Sequence, residues 1–201
     1  MIRNVIFDFG QVLIRFDGLL ITEQTIPDKK EAARVAEVFF DRQYWDKIDT
    51  GELTGDTLIE QAKTRLPEPY HGCLSEIFYT WIYRVPYIEG MEAVVSDLKK
   101  KGFRLFLLSN AGHYLAAHHD HFSILEGFEA CLFSAPLGLL KPERKIYEHI
   151  CQAYGLCPAE TLFVDDNAAN IAGARAFGLN TYLFDGDASK LSQFLEEFLQ
   201  K

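Results

Sequence analysis

The chain has no apolar run long enough to cross a bilayer, which argues for a protein that works in water. It has no basic cluster longer than Lys99-Lys100-Lys101, and its formal net charge is −9, so an electrostatic footprint for nucleic acid or an anionic membrane is missing. An acidic protein still binds an anionic substrate where a local site reverses the sign. The four cysteines, Cys73, Cys131, Cys151 and Cys157, form no Cys-X-X-Cys pair, and no secretory segment precedes the first apolar run; reduced thiols and a cytoplasmic location are the expectation. Internal repeats and low-complexity stretches are missing too. What the 201 residues do hold is 48% hydrophobic content, ample for a core, over a length that suits one domain with an elaboration.

The stretch around which the rest is organised is Val5-Ile6-Phe7-Asp8-Phe9-Gly10-Gln11-Val12-Leu13. A short apolar run ending in a carboxylate, with a glycine to free the backbone, reads as a central parallel strand that delivers a side chain to the carboxyl end of a sheet, where open α/β sheets bind ligands. Taken alone, Asp8 reads equally as turn chemistry, because Asp-X-Gly is a common turn. From Asp17 to Tyr87 the pattern is helical. Ala32, Val35, Ala36 and Phe39, then Ile59, Ala62 and Leu66, then Leu74, Ile77, Phe78, Trp81 and Ile82 recur at helical spacing and predict a small helical bundle, with turns at 51–55 and 67–69. Trp45 and Trp81 read as core residues rather than as the lining of a pocket.

After Pro86 helix and strand alternate. The spacing predicts a helix over 91–101, a strand over 103–108 ending in Ser109-Asn110, a helix around His113 to Phe122 and a strand over 130–134. There follow a helix with Pro142 at its first position, a strand over 161–164 ending in Asp165-Asp166, a small-residue helix from Asn170 to Gly178, a strand over 180–184 and a last amphipathic helix. This succession calls for an α/β fold: a Rossmann-like parallel sheet with helices on both faces and an inserted helical bundle. Residues 1–16 and 88–201 form its core and residues 17–87 the insertion.

Three strand ends carry polar groups that the strand bodies lack: Asp8, Ser109-Asn110 and Asp165-Asp166, with Lys141 just before a helix. In a parallel sheet these ends meet on one side, so residues over a hundred positions apart converge on one pocket. Magnesium is typically held by one or two carboxylates plus phosphate and water, which Asp8 and Asp166 can supply. The Ser109 hydroxyl, the neighbouring backbone amides and the Lys141 ammonium suit the oxygens of a phosphoryl group.

The order of these motifs resembles the haloacid dehalogenase-like hydrolase superfamily, most of whose members are phosphatases. Its four signatures stand here as Asp8-Phe9-Gly10-Gln11-Val12, Leu107-Leu108-Ser109-Asn110, Lys141-Pro142-Glu143 and Phe163-Val164-Asp165-Asp166-Asn167, with the helical insertion where such enzymes carry a cap. The resemblance implies that Asp8 forms an aspartyl-phosphate, that Ser109, Asn110 and Lys141 bind the phosphoryl group, and that Asp8, Asp166 and the Gly10 carbonyl ligate Mg2+. It implies also that Asp165 orients Lys141, and that the partner is a small phosphorylated metabolite.

The departure from the family pattern is Gly10. Most phosphatases of this superfamily place there an Asp that protonates the leaving alcohol and activates water, help worth about 10² to 10⁴ in rate. Glycine keeps the carbonyl ligand but not the acid. A glycine here, with the Asp-Asp-Asn form of the last signature, resembles the branch that includes bacterial alpha-glucose-1-phosphate phosphatases, whose anomeric leaving group departs readily. Beyond the first strand, Asp17 is the only nearby carboxylate that could replace the missing acid, and it reads as a turn residue outside the site. His118 and His121 are spaced for a shared helix face that could bind a transition metal, although an exposed polar face explains them better; His113 is expected near the substrate. Two alternatives stay open: a metal-independent dehalogenase that attacks carbon, and a non-catalytic phosphometabolite-binding protein.

Overall fold

A computed structural model describes residues 2–199. Five strands, β1 (Asn4–Phe7), β2 (Arg104–Ser109), β3 (Ala130–Phe133), β4 (Thr161–Asp165) and β5 (Asn180–Leu183), form one wholly parallel sheet in the order β3-β2-β1-β4-β5. The first strand is central, as its uniformly buried sequence requires. The chain moves outward from it in both directions, so the carboxyl ends of β1 and β4 flank the point where the winding reverses. Val5 pairs with Leu105 and Leu162, and Phe7 with Leu107 and Val164, which aligns the polar ends of three strands.

Alternation along each strand splits the core. Val5, Phe7, Leu105, Leu107, Leu162 and Val164 face one side, and Ile6, Phe106, Leu108 and Phe163 face the other. The first face is covered by Met91–Lys100 and Ala188–Leu199, and its core runs on continuously into the helices of the insertion; the second is covered by Arg144–Tyr154 and Ala168–Phe177.

Between β1 and the rest of the sheet run α1 (Gly18–Glu23), α2 (Lys29–Phe39), α3 (Arg42–Asp49), α4 (Gly55–Lys63) and α5 (Leu74–Thr80). Asp17, Asp28 and Asp41 cap the first three through backbone amides, and Thr54 caps the fourth, each cap worth about 1 kcal/mol. The expected apolar stripes are all buried. Two details differ from the sequence reading. Pro67 leads into a single 3-10 helix, Glu68–Cys73, rather than a simple turn. α3 carries no stripe of its own, since only Ile48 in it is fully buried.

The remaining helices are α6 (Met91–Lys100), α7 (His113–His118), α8 (Ser134–Leu137), α9 (Arg144–Tyr154), α10 (Ala168–Phe177) and α11 (Ala188–Leu199). Pro142 is not in the first turn of α9. It stands two residues ahead, in a turn closed by Glu143 N–H donating to the Leu140 carbonyl at 2.9 Å. The small residues of α10 serve this turn: a Cβ at Gly173 would sit 2.5 Å from the Pro142 carbonyl oxygen, so only glycine admits the loop that carries Lys141. No described helix is long and apolar enough to cross a membrane.

Candidate active site

The carboxyl ends of β1, β2 and β4 open into a cavity of about 580 Å³. Asp8, Gly10, Ser109, Asn110, Lys141 and Asp166 all line it, so the structure brings together residues separated by up to 158 positions in the chain (166 minus 8). Asp165 lies beneath, fully buried.

Lys141 is the hub. Its ammonium is 2.8 Å from Asp8 Oδ1 and 2.7 Å from Asp165 Oδ2, with the whole residue 2% exposed. Burial works against the charged amine, but the two carboxylates outweigh it and hold its pKa above the ordinary lysine value. Asn110 secures the backbone beneath: its side-chain amide donates to the Lys141 carbonyl at 2.9 Å, and its Oδ1 accepts from the Lys141 N–H at 2.9 Å. With both ends of that side chain occupied, Asn110 offers a bound anion its backbone N–H. Ser109 is 4% exposed at the end of β2, and its hydroxyl engages no protein partner among the described residues.

The two aspartates at the end of β4 have different surroundings. Asp165 is saturated: besides Lys141, it accepts from the Asn167 N–H at 2.8 Å and from the Asn170 amide at 3.1 and 3.0 Å. Asn170 was not picked out by sequence; its signal was the spacing Asp165-X-X-X-X-Asn170, one turn into the helix that the acidic motif starts. Asp166 is exposed to the cavity, raised by partial burial and by the Asp165 charge beside it. Asp8 accepts from the Phe9 N–H at 2.7 Å on the same Oδ1 that meets Lys141, leaving Oδ2 without a partner among the described residues. Burial pushes Asp8 up to about 6, with Lys141 pulling it down and Asp165 adding to the rise.

Carboxylate oxygens of Asp8, Asp165 and Asp166 lie within 4.8 Å of one another, the one such grouping among the described residues. Hard oxygen donors of this kind suit a magnesium-sized cation. The hydrogen-bond pattern separates them: Asp165 has its lone pairs engaged, whereas Asp8 Oδ2 and Asp166 are open, and the Gly10 carbonyl accepts no described backbone hydrogen bond. A Cβ at Gly10 would meet nothing nearer than Phe16 Cβ at 3.9 Å, so the missing side chain is not excluded by crowding.

The opposite wall comes from the insertion and from Phe16 just before it. Phe16, Phe40, Trp45, Phe78 and Trp81 line the cavity and pack on each other at centroid separations of 4.8–6.0 Å. Both tryptophans thus line the pocket as well as packing into the core, because a cluster between insertion and sheet has one face toward each. Arg42, Asp46 and Asp49 of α3, and Thr50 just beyond it, bring polar groups to this wall. Asp49 was missed by sequence reasoning. Asp17 caps α1 and sits 3.7 Å from Arg15, outside the cavity lining.

The histidine pair does not form a metal site. α7 ends at His118, the 3-10 turn His119–His121 breaks the shared face, His118 Nδ1 meets the Tyr114 carbonyl at 2.8 Å, and His121 packs on the Tyr83 ring. His113 is absent from the cavity lining and lies against Gly51.

Residues 2–178 match the family model for haloacid dehalogenase-like hydrolases. A sesquiterpene phosphatase of Aspergillus oryzae is 25% identical over 184 residues, 88% of this chain and 87% of that one. An (S)-2-haloacid dehalogenase of a Pseudomonas species is 37% identical over 86 residues, 42% of this chain and 37% of the relative. Among solved structures, a haloacid dehalogenase family enzyme from Bacteroides thetaiotaomicron, in complex with magnesium and inorganic phosphate, superposes with a TM-score of 0.69 at 20% identity, covering 95% of this chain and 99% of that one. The chain belongs to the haloacid dehalogenase-like hydrolase family.

Proposed function

We propose that this hydrolase is a magnesium-dependent phosphatase that transfers the phosphoryl group of a small metabolite to Asp8 and then to water. The carrying observation is the division of labour around Lys141: Asp8 is held by one oxygen and open at the other, Asp165 is fully engaged, and Asp166 faces the cavity. Asp8 Oδ2 is the nucleophile. Lys141, the Ser109 hydroxyl and the Asn110 N–H hold the phosphoryl oxygens, while Asp165 orients Lys141. Asp8, Asp166 and the Gly10 carbonyl would hold Mg2+, which when bound offsets charge on the phosphoryl group. The phosphatase relative supports this reading, as does the neighbour that holds magnesium and phosphate.

Residues 17–87 act as a cap that shields the site from water, over a core formed by 1–16 and 88–201. The aromatic wall gives the organic half of the substrate an apolar surface with α3 polar groups at its rim, an arrangement suited to the face of a sugar; glucose 1-phosphate is the first candidate. The four unpaired cysteines suit a reducing, cytoplasmic setting.

The dehalogenase relative keeps a second reading in play. That chemistry needs no metal and leaves the open carboxylate at Asp166 without a task. The test is phosphate release from sugar phosphates, nucleotides and acyl phosphates with magnesium. Release that chelation and Asp8→Asn each reduce by at least about 10³-fold is expected. Halide release in the presence of chelator would favour the dehalogenase, and phosphate binding without turnover would favour a binding protein.

A further inference from the structure

Resting on the phosphatase reading, a second question is which group handles the proton that Gly10 cannot. The cavity lining offers few carboxyl or hydroxyl groups. Asp8 and Asp166 belong to the phosphoryl end. Asp46 is exposed and paired with Arg42 at 3.0 Å. The Tyr114 hydroxyl donates to the Tyr79 carbonyl at 2.6 Å. Asp49 alone is partly buried, lines the cavity, and has a carboxyl with no hydrogen-bond or ion-pair partner among the described residues.

Its backbone, by contrast, is fastened. The Ser134 hydroxyl, 1% exposed, donates to the Asp49 carbonyl at 2.5 Å and accepts from the Ala111 N–H at 2.8 Å, two residues beyond Ser109. A Cβ at Gly112 would collide with Ile48 Cγ2 at 2.5 Å, so glycine there lets the end of α3 dock on the loop after β2. The insertion is thus anchored to the phosphoryl end of the site at the residue that carries the free carboxyl.

We propose that Asp49 supplies the acid and base that the chain lacks at residue 10. As Asp8 Oδ2 bonds to phosphorus and the bond from phosphorus to the leaving oxygen breaks, the Asp49 carboxyl gives its proton to that oxygen, releasing the alcohol. Water then attacks the phosphorus of the phosphoenzyme, its proton passes to the Asp49 carboxylate, and the Asp8 carboxylate and inorganic phosphate are released. Both groups return to their starting states.

The electrostatic setting agrees. Burial pushes Asp49 up to about 8; Asp46 and, more weakly, Asp8 add to the rise, while Arg42 and Lys141 oppose it. His113 of α7 lies against the neighbouring Gly51. Asp49 therefore holds its proton at neutral pH.

The experiment is a single-turnover comparison of Asp49→Asn with wild type in magnesium, using 4-nitrophenyl phosphate, whose leaving group needs no proton, and a primary alkyl phosphate such as a sugar 6-phosphate. The variant is expected to release the first equivalent of nitrophenol at close to the wild-type rate and then stall as phosphoenzyme. Its first turnover of the alkyl phosphate should fall by about 10² to 10⁴. In wild type that alkyl-phosphate step should slow as pH rises through about 8, and the variant should lack this limb. Equal slowing of both first turnovers, or slowing of neither, overturns the role of Asp49 while leaving the phosphatase reading intact. Absence of any wild-type phosphate release overturns both.

Discussion

The two walls of the cavity are built on opposite principles. At the carboxyl ends of the strands, charges are matched and lone pairs counted: one lysine between two carboxylates, one asparagine gripping that lysine's backbone, another gripping a carboxylate. On the insertion side aromatic rings stand beside the polar groups of α3, and the one partly buried carboxyl there has no partner among the described residues. On the phosphatase reading proposed above, the phosphoryl group is the same in every substrate, so a site that holds it can be preorganised to a fixed geometry. The organic half varies, and shape plus apolar contact accommodate it better than a fixed hydrogen-bond pattern.

The sharpest way to break this contrast is Lys141→Met. Removing the ammonium leaves Asp8 and Asp165 as adjacent, nearly dry carboxylates, and breaking such a buried arrangement costs about 3–5 kcal/mol. Urea unfolding should show that loss and phosphate release should vanish; a variant with wild-type stability would mean that the strand-end wall is not held by charge pairing.

Trp45→Ala addresses the other wall. The ring packs in tilted contact against Phe16, Phe40 and Phe78, contacts worth about 0.5–1.5 kcal/mol each. KM for a sugar phosphate should rise by about tenfold, with little change for a small acyl phosphate that does not reach the rings. Equal effects on both substrates would place Trp45 in the phosphoryl site.

Asp49→Asn is read through the pH dependence of stability rather than its size. A carboxyl whose pKa is about 8 when folded, against an ordinary 3.8, takes up a proton on folding, so its contribution to stability is present below about pH 4 and lost progressively up to pH 8. The asparagine variant lacks this loss. The melting temperatures of the metal-free proteins should therefore coincide near pH 4 and separate progressively in favour of the variant as pH rises toward 8. A constant difference across that range would contradict the raised pKa.

The same contrast explains what the sequence made legible. Asp8, Ser109 and the Asp165-Asp166 pair each stand at the end of a buried strand, and a parallel sheet has only one place to bring such ends together, while Lys141 was legible from its place just before a helix. The insertion offered no comparable rule. α3 has one fully buried residue and no continuous stripe, so periodicity did not reveal it, and Asp49 at its end could not be placed. Its position depends on contacts made by Ser134 and Gly112, which lie more than sixty residues away in the chain. Trp45 and Trp81 were legible as apolar but not as cavity walls, since core and pocket aromatics share the same spacing. Asn110 was assigned to the phosphoryl group, and only the structure shows that its side chain grips the Lys141 backbone, which leaves its backbone N–H for that role.

The claim on which all of this depends is that Asp8 becomes phosphorylated. Wild-type protein mixed with acetyl phosphate and magnesium, quenched in acid within one turnover and digested for peptide mass analysis, should carry one phosphoryl group on the peptide that contains Asp8. Phosphate release during turnover without that adduct in wild type, or with an adduct that persists in Asp8→Asn, would contradict the account.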